Sequence, residues 1–182
     1  MGKRITGTKT SLDYKNIQEF FENRGKGKEL KSKYNYVLYQ DDCPGLAEKR
    51  DAWEKEKISG LLHLEKGQRV LDIGCGIGRW GELLLERGLY YAGIDGSPRM
   101  VQMAEENLEA YQGKKLMAGM FQEFRYCLEK AGETEAFDKV FVNGVFMYLD
   151  DGDYLQALKD IHGICAPCCE IYIKESMGTE ER

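Results

Sequence analysis

The chain has 182 residues, 42% of them hydrophobic, and a formal net charge of −5. That length suits one domain able to bury a core, and no stretch is long and apolar enough to span a membrane. Residues 1–33 carry nine Lys/Arg against four Asp/Glu, which leaves a net −10 for the remainder, and such an acidic body argues against a nucleic-acid footprint.

The N-terminus, Met1-Gly2-Lys3-Arg4-Ile5-Thr6, lacks the apolar core of a secretory signal, so a cytoplasmic setting is expected. The basic arm reads as a solvated tail or as an attractor of an anionic substrate or partner. Residues 11–23 place Leu12, Ile17, Phe20 and Phe21 on one helical face, and Gly25-Lys26-Gly27 breaks the pattern. A tyrosine-rich piece follows at 34–39, then a turn at Asp41–Gly45. Residues 46–62 read as a charged helix with Trp53, Ile58, Leu61 and Leu62 as its apolar side. From there an α/β alternation sets in: strand 69–73, helix 79–87 ended by Gly88, strand 90–95, and a helix opened by Ser97 as cap with Pro98 in its first turn. Strand 115–118, helix 121–131, strand 139–143, helix 153–164 with Leu155, Leu158 and Ile161 inward, and strand 170–174 complete the series. Strands separated by helices predict a doubly wound parallel sheet with its ligand at the strand C-termini. The expected division is an arm and helical cap over 1–62 and an α/β core over 63–182. Cys165-Ala166-Pro167-Cys168-Cys169 holds one C-x-x-C with no second pair, and His162 is poorly spaced for zinc. It reads as a turn centred on Pro167, and no metal is expected.

The chemistry concentrates at Asp72-Ile73-Gly74-Cys75-Gly76-Ile77-Gly78, between the first strand and its helix. Glycines there let backbone approach a ligand and adopt unusual dihedrals. A dinucleotide fingerprint, G-x-G-x-x-G, aims a helix N-terminus at a pyrophosphate. Here the spacing is G-x-G-x-G, and Asp72 stands two residues before Gly74. A carboxylate in that place would repel a pyrophosphate and suits a cationic amino group. Asp95 ends the next strand, where a carboxylate can take both hydroxyls of a ribose.

The pattern D-x-G-x-G-x-G resembles motif I of the class I S-adenosylmethionine (SAM)-dependent methyltransferases, and motif order extends the resemblance over residues 66–176. A looser likeness to protein N-terminal methyltransferases lies around 119–124 and 170–177. The resemblance implies a Rossmann-like sheet, SAM as cofactor with S-adenosylhomocysteine as product, and transfer of a methyl group to oxygen or nitrogen of a small-molecule acceptor. Methylation of a protein N-terminal amine and a non-catalytic SAM-binding module are the alternatives.

It further implies that Gly74 and Gly76 admit the methionine end of SAM, with Asp72 near its ammonium. Arg79 takes a position that pairs with the SAM carboxylate in some members, or else is a surface helix charge. Asp95 would accept from the ribose, with Gly96 and Ser97 along the adenosine and Met100 against adenine or in the core. Gly119–Phe124 fills the adenine-loop position and includes Phe121. Met120 replaces the usual acid there, which makes the Gln122 amide the substitute acceptor for the adenine amino group. Asn143 would hold the methionine moiety. Tyr148 and Glu175 are the candidates for orienting or deprotonating the nucleophile, and Tyr39, with Tyr34 and Tyr36, for a lid over the sulfonium. The family fold closes with two further strands, which nothing after Ser176 supplies. Strand five is therefore expected to be a bare edge, in a truncated chain or under a second copy in a homodimer.

Overall fold

The computed structural model describes residues 12–27 and 30–175; the first eleven residues of the basic arm and everything from Ser176 on lie outside them. Three helices come first: α1 (Tyr14–Lys26), α2 (Asn35–Leu38) and α3 (Leu46–Leu61). Asp13 starts α1 by accepting from the Asn16 amide at 3.1 Å. Five strands then alternate with helices: β1 (Arg69–Ile73), α4 (Arg79–Glu86), β2 (Tyr90–Asp95), α5 (Pro98–Asn107), β3 (Lys114–Ala118), α6 (Phe124–Lys130), β4 (Phe137–Asn143), α7 (Asp151–His162) and β5 (Cys165–Lys174). All pairings are parallel, in the order β3-β2-β1-β4-β5. The chain reverses direction across the sheet at β1, which opens a crevice beyond the ends of β1 and β4.

The strands are apolar on both faces because helices cover both. Leu71, Ile73, Ala92, Ile94, Val140 and Val142 pack with Phe124 and Leu128 of α6 and with Ala157 and Ile161 of α7. The opposite face sets Val70, Tyr91 and Phe141 against Trp80, Leu84 and Leu85 of α4, with Ile58 of α3 beside them. The doubly wound α/β class expected from the sequence is the observed one.

Boundaries moved where packing or capping outweighed local pattern. Phe137, 1% exposed, draws the start of β4 two residues earlier than expected. Helix 121–131 divides into a 3-10 turn at Phe121–Glu123 and then α6. The Asp150 carboxylate accepts from the Gly152 and Asp153 amides and so starts α7 at Asp151. Leu155, expected inward, is exposed, and Ala157 takes the buried place. The expected turn at 165–169 is a bulge inside β5. Phe137 pairs with Cys165 while Lys139 pairs with Glu170, and Cys168 sits at φ +64°. The expected apolar side of α3 is the largest departure. Trp53 and Leu61 are exposed, and the helix buries Ala47, Asp51 and Glu54 instead. Among the described residues no strand pairs with the outer edge of β5, where Ile171 and Ile173 are exposed. No described helix is long and apolar enough to cross a membrane.

Candidate functional site

The loop after β1 folds back over the sheet because the Gly74 and Cys75 amides both donate to the Ile94 carbonyl, at 2.8 and 3.0 Å. Gly74 holds φ +78°, and a Cβ there would lie 2.2 Å from Val145 Cγ2. A Cβ on Gly76 would lie 2.7 Å from Val37 Cγ1. No side chain fits at either position. Beyond the loop lies a cavity of about 430 Å³, within the range of small-molecule sites.

Asp95 ties the glycine loop to the start of α5. Its Oδ2 accepts from the Gly76 amide at 2.8 Å and its Oδ1 from the Ser97 amide at 2.9 Å. Burial raises the Asp95 carboxyl above the usual range, and these two amides oppose that shift. Each oxygen retains a second lone pair, and the residue lines the cavity. Sequence reasoning gave the N-cap to Ser97 alone. Ser97 does cap, accepting from the Met100 amide at 3.2 Å, but Asp95 also holds the turn.

The N-terminal helices close the cavity from above. Gln18 Nε2 donates to the Gly96 carbonyl at 2.7 Å. Glu22 accepts from Ser97 Oγ at 2.6 Å and from the Arg99 amide at 3.0 Å. Lys26, with these two donors, holds the Glu22 carboxyl down at about 2. The Tyr14 hydroxyl donates to Asp153 and accepts from the Asp150 amide, at 2.5 and 3.1 Å. Of the three tyrosines considered for a lid, Tyr39 alone lines the cavity. It follows α2 in the left-handed region, its ring 4.4 Å from the Arg24 guanidinium, and burial raises its phenol. Tyr34 donates to Glu82 at 3.0 Å, and Tyr36 packs with Ile77 and Met100.

Gly96, Ser97, Met100, Phe121, Gln122, Asn143 and Tyr148 all line this cavity with Gly74, Gly76 and Asp95. Met100 is fully buried, so the core reading of it and the cavity reading both hold. Gln122 also donates to Asp153 at 3.1 Å. Tyr148 meets Phe21 edge to face, ring centroids 5.5 Å apart. Burial, then the charge of Glu175, pushes its phenol up, so it keeps its proton at neutral pH.

Three expectations need correction or restatement. Arg79 is neither a surface charge nor a cavity wall. Its guanidinium is buried against Asp51 at 2.7 Å and Glu54 at 2.5 Å, both on α3. With its amide turned so that the oxygen faces its donor neighbours, Asn143 completes that pairing, accepting from Trp80 Nε1 at 3.0 Å and Arg79 Nη2 at 3.1 Å. An arginine so committed has no fork left for a ligand carboxylate. Asp72 is buried behind the glycine loop. Its Oδ2 accepts from the Tyr91 hydroxyl at 2.8 Å, its Oδ1 has no partner, and burial pushes its carboxyl up to about 7. Glu175 lines the cavity, but its carboxylate accepts from the Val145, Phe146 and Met147 amides at 3.0, 2.8 and 3.3 Å. It holds the 3-10 turn at Phe146–Tyr148 rather than standing free as a base.

Residues that sequence reasoning missed are Gln18 and Glu22 on α1, Asp51 and Glu54 on α3, and Arg50 and Lys174 on the cavity wall. Asp51 and Glu54 share a helical face, which was the available signal. Nothing local marks the others, whose partners lie far along the chain. Among the described residues no three His, Cys, Asp or Glu side chains group as a metal site.

A parallel sheet with a glycine loop after its first strand and a carboxylate ending its second defines a nucleotide-binding α/β domain. A family model described as a methyltransferase domain matches residues 70–168, and the chain belongs to that family. A Haemophilus influenzae protein described as uncharacterized is 34% identical over 64% of this chain and 46% of its own length. Demethylmenaquinone methyltransferase of Staphylococcus aureus (strain MRSA252) is 27% identical over 66% of this chain and 47% of its own. The chain thus spans about half the length of these curated relatives. Among solved structures, Haemonchus contortus phosphoethanolamine N-methyltransferase 1, in complex with phosphoethanolamine and S-adenosylhomocysteine, superposes with a TM-score of 0.72 at 19% identity. That match covers 89% of this chain and 32% of the other.

Proposed function

We propose that the chain is a SAM-dependent methyltransferase acting on an oxygen or nitrogen of a small-molecule acceptor. One observation carries the reading: Asp95, at the end of β2, is locked by the Gly76 and Ser97 amides beside a glycine loop with no space for a Cβ. Family membership and the S-adenosylhomocysteine bound in the Haemonchus enzyme support it. The residues present fit SAM. Asp95 would take its ribose hydroxyls, Gly74 and Gly76 would admit its methionine end, and Met100 and Phe121 would flank its adenine. The orphaned, buried Asp72 Oδ1 suits the ammonium, directly or through water.

When bound, SAM supplies an electrophilic methyl group on a sulfonium. The chain's own share is positioning and exclusion of water. α1 closes the cavity through Gln18 and Glu22, and Glu175 fixes the turn that presents Tyr148. Tyr148, protonated at neutral pH, orients the acceptor by hydrogen bonding rather than deprotonating it. We read the cell interior as the setting, consistent with the free state of every cysteine. The bare β5 edge we read as the place where a second copy pairs.

Incubation with methyl-labelled SAM and a panel of small amines, phenols and carboxylic acids, plus a peptide with a free N-terminal amine, tests this. Label on a small molecule is expected. Label confined to the peptide would contradict the acceptor class. No label at all, from protein that binds S-adenosylhomocysteine, would contradict catalysis and leave a binding module.

A further inference from the structure

Two cations face the cavity, and among the described residues they share a single carboxylate. Arg50 and Lys174 both line it, on the side formed by α3 and the end of β5. Their side chains keep 40% and 33% of their surface exposed. Both reach Glu54, Arg50 through Nε at 3.1 Å. Glu54 in turn is the acceptor for the buried Arg79 at 2.5 Å. The three cations together hold its carboxyl below the usual range although burial opposes them. Asp51 offers no relief, since it pairs with Arg79 and with Lys55 at 2.8 Å. Lys55 and Lys33 then share Glu82. This chain of ion pairs holds five cations on three carboxylates. Its buried members, Arg79 and Lys55 with Asp51, Glu54 and Glu82, carry one net negative charge, and the more exposed Lys33, Arg50 and Lys174 bring the whole to two net positive charges; two of those three exposed cations, Arg50 and Lys174, lie on the cavity.

The cavity's own carboxylates are held by backbone amides, Asp95 on β2 by Gly76 and Ser97 and Glu175 by Val145, Phe146 and Met147, and among the described ion pairs neither joins Arg50 or Lys174. Two cations and two carboxylates therefore line the cavity, and SAM adds a further net positive charge. Arg50 engages Glu54 through Nε alone among the described hydrogen bonds, which leaves the terminal guanidinium nitrogens for a planar or tetrahedral anion.

We propose that the methyl acceptor is an anion, carrying a carboxylate or phosphate group held between Arg50 and Lys174. This rests on the methyltransferase reading and narrows its substrate class. The pair fixes the end of the acceptor remote from its nucleophile, so binding energy there positions the reacting atom.

The test uses the full chain loaded with S-adenosylhomocysteine and titrated calorimetrically with acetate and, separately, inorganic phosphate. Saturable binding of at least one is expected, and it distinguishes the carboxylate from the phosphate form. Arg50→Gln and Lys174→Gln are each expected to weaken it about tenfold, the worth of a charge-assisted hydrogen bond. Their affinity for S-adenosylhomocysteine should stay within about twofold of wild type, since no hydrogen bond to it is lost. Absence of anion binding overturns the proposal, as do variants that bind anions like wild type. A loss of S-adenosylhomocysteine affinity in the variants with 5′-methylthioadenosine affinity unchanged also overturns it, because the cations then serve the cofactor's carboxylate. Failure of wild type to bind S-adenosylhomocysteine is a separate result and counts against the methyltransferase reading itself.

Discussion

Asp72 shows how one carboxylate's surroundings set a testable pH dependence. Burial raises its carboxyl to about 7, opposed by the Tyr91 hydroxyl, whereas in the unfolded chain it titrates near the ordinary value of about 3.9. The folded state therefore holds a proton that the unfolded state has lost. That contribution is fully present below the unfolded value and disappears as pH rises through about 7. The ligand-free protein's thermal midpoint is expected to fall between about pH 4 and 7 relative to that of Asp72→Asn and to run parallel to it above that; parallel midpoints across the window would refute the shift. Asp72, Gly74, Asp95 and Ser97 were legible in the sequence because their roles follow from chain neighbours: a strand end, a tight turn, a helix start. Arg79 was misread for the complementary reason. Its partners, Asp51 and Glu54, come from a helix 25 to 28 residues earlier, and no local pattern discloses them.

α3 and α4 are joined by that buried ionic cluster as well as by the apolar contact of Ile58 with the cluster that holds Trp80, Leu84 and Leu85. Removing one partner of a buried pair leaves uncompensated charge and costs about 3–5 kcal/mol. Arg79→Ala is accordingly expected to destabilise the fold by about that amount in denaturant titration. A ligand-facing arginine would instead leave stability unchanged and lower affinity for S-adenosylhomocysteine. Helix periodicity held for half of the expected apolar side of α3, since Ile58 and Leu62 pack against the core, but the fully buried face is largely ionic, and Trp53 and Leu61 face solvent. It succeeded on α5, where Ser97 and Pro98 start the helix and Met100 and Ala104 are buried. α1 was legible as a helix, but its docking through Gln18 and Glu22 depends on the distant Gly96, Ser97 and Arg99.

Across the molecule, the alternation of strands and helices sufficed for the parallel sheet, since crossover connections leave few other arrangements. It also placed the ligand at the strand C-termini, where the cavity is lined by Ile73, Asp95, Asn143 and Lys174. The C-terminal side was harder, because a bulge at Cys165–Cys169 merges what reads as a turn into β5. The outer edge of β5, unpaired among the described residues and with Ile171 and Ile173 exposed, is expected to drive concentration-dependent association in sedimentation velocity. Ile173→Lys should suppress it, as edge lysines do; a species unchanged by concentration and by the substitution would refute a role for this edge. The nucleotide site is examined most directly by calorimetry of wild type and Asp95→Asn with SAM, S-adenosylhomocysteine and NAD. Saturable binding of the first two and none of NAD is predicted. Asp95→Asn, which keeps one acceptor for the loop amides, should lose about tenfold to a hundredfold in affinity, the cost of charged hydrogen bonds to a ribose. A folded protein that binds neither SAM nor S-adenosylhomocysteine, or binds NAD equally well, would contradict the account.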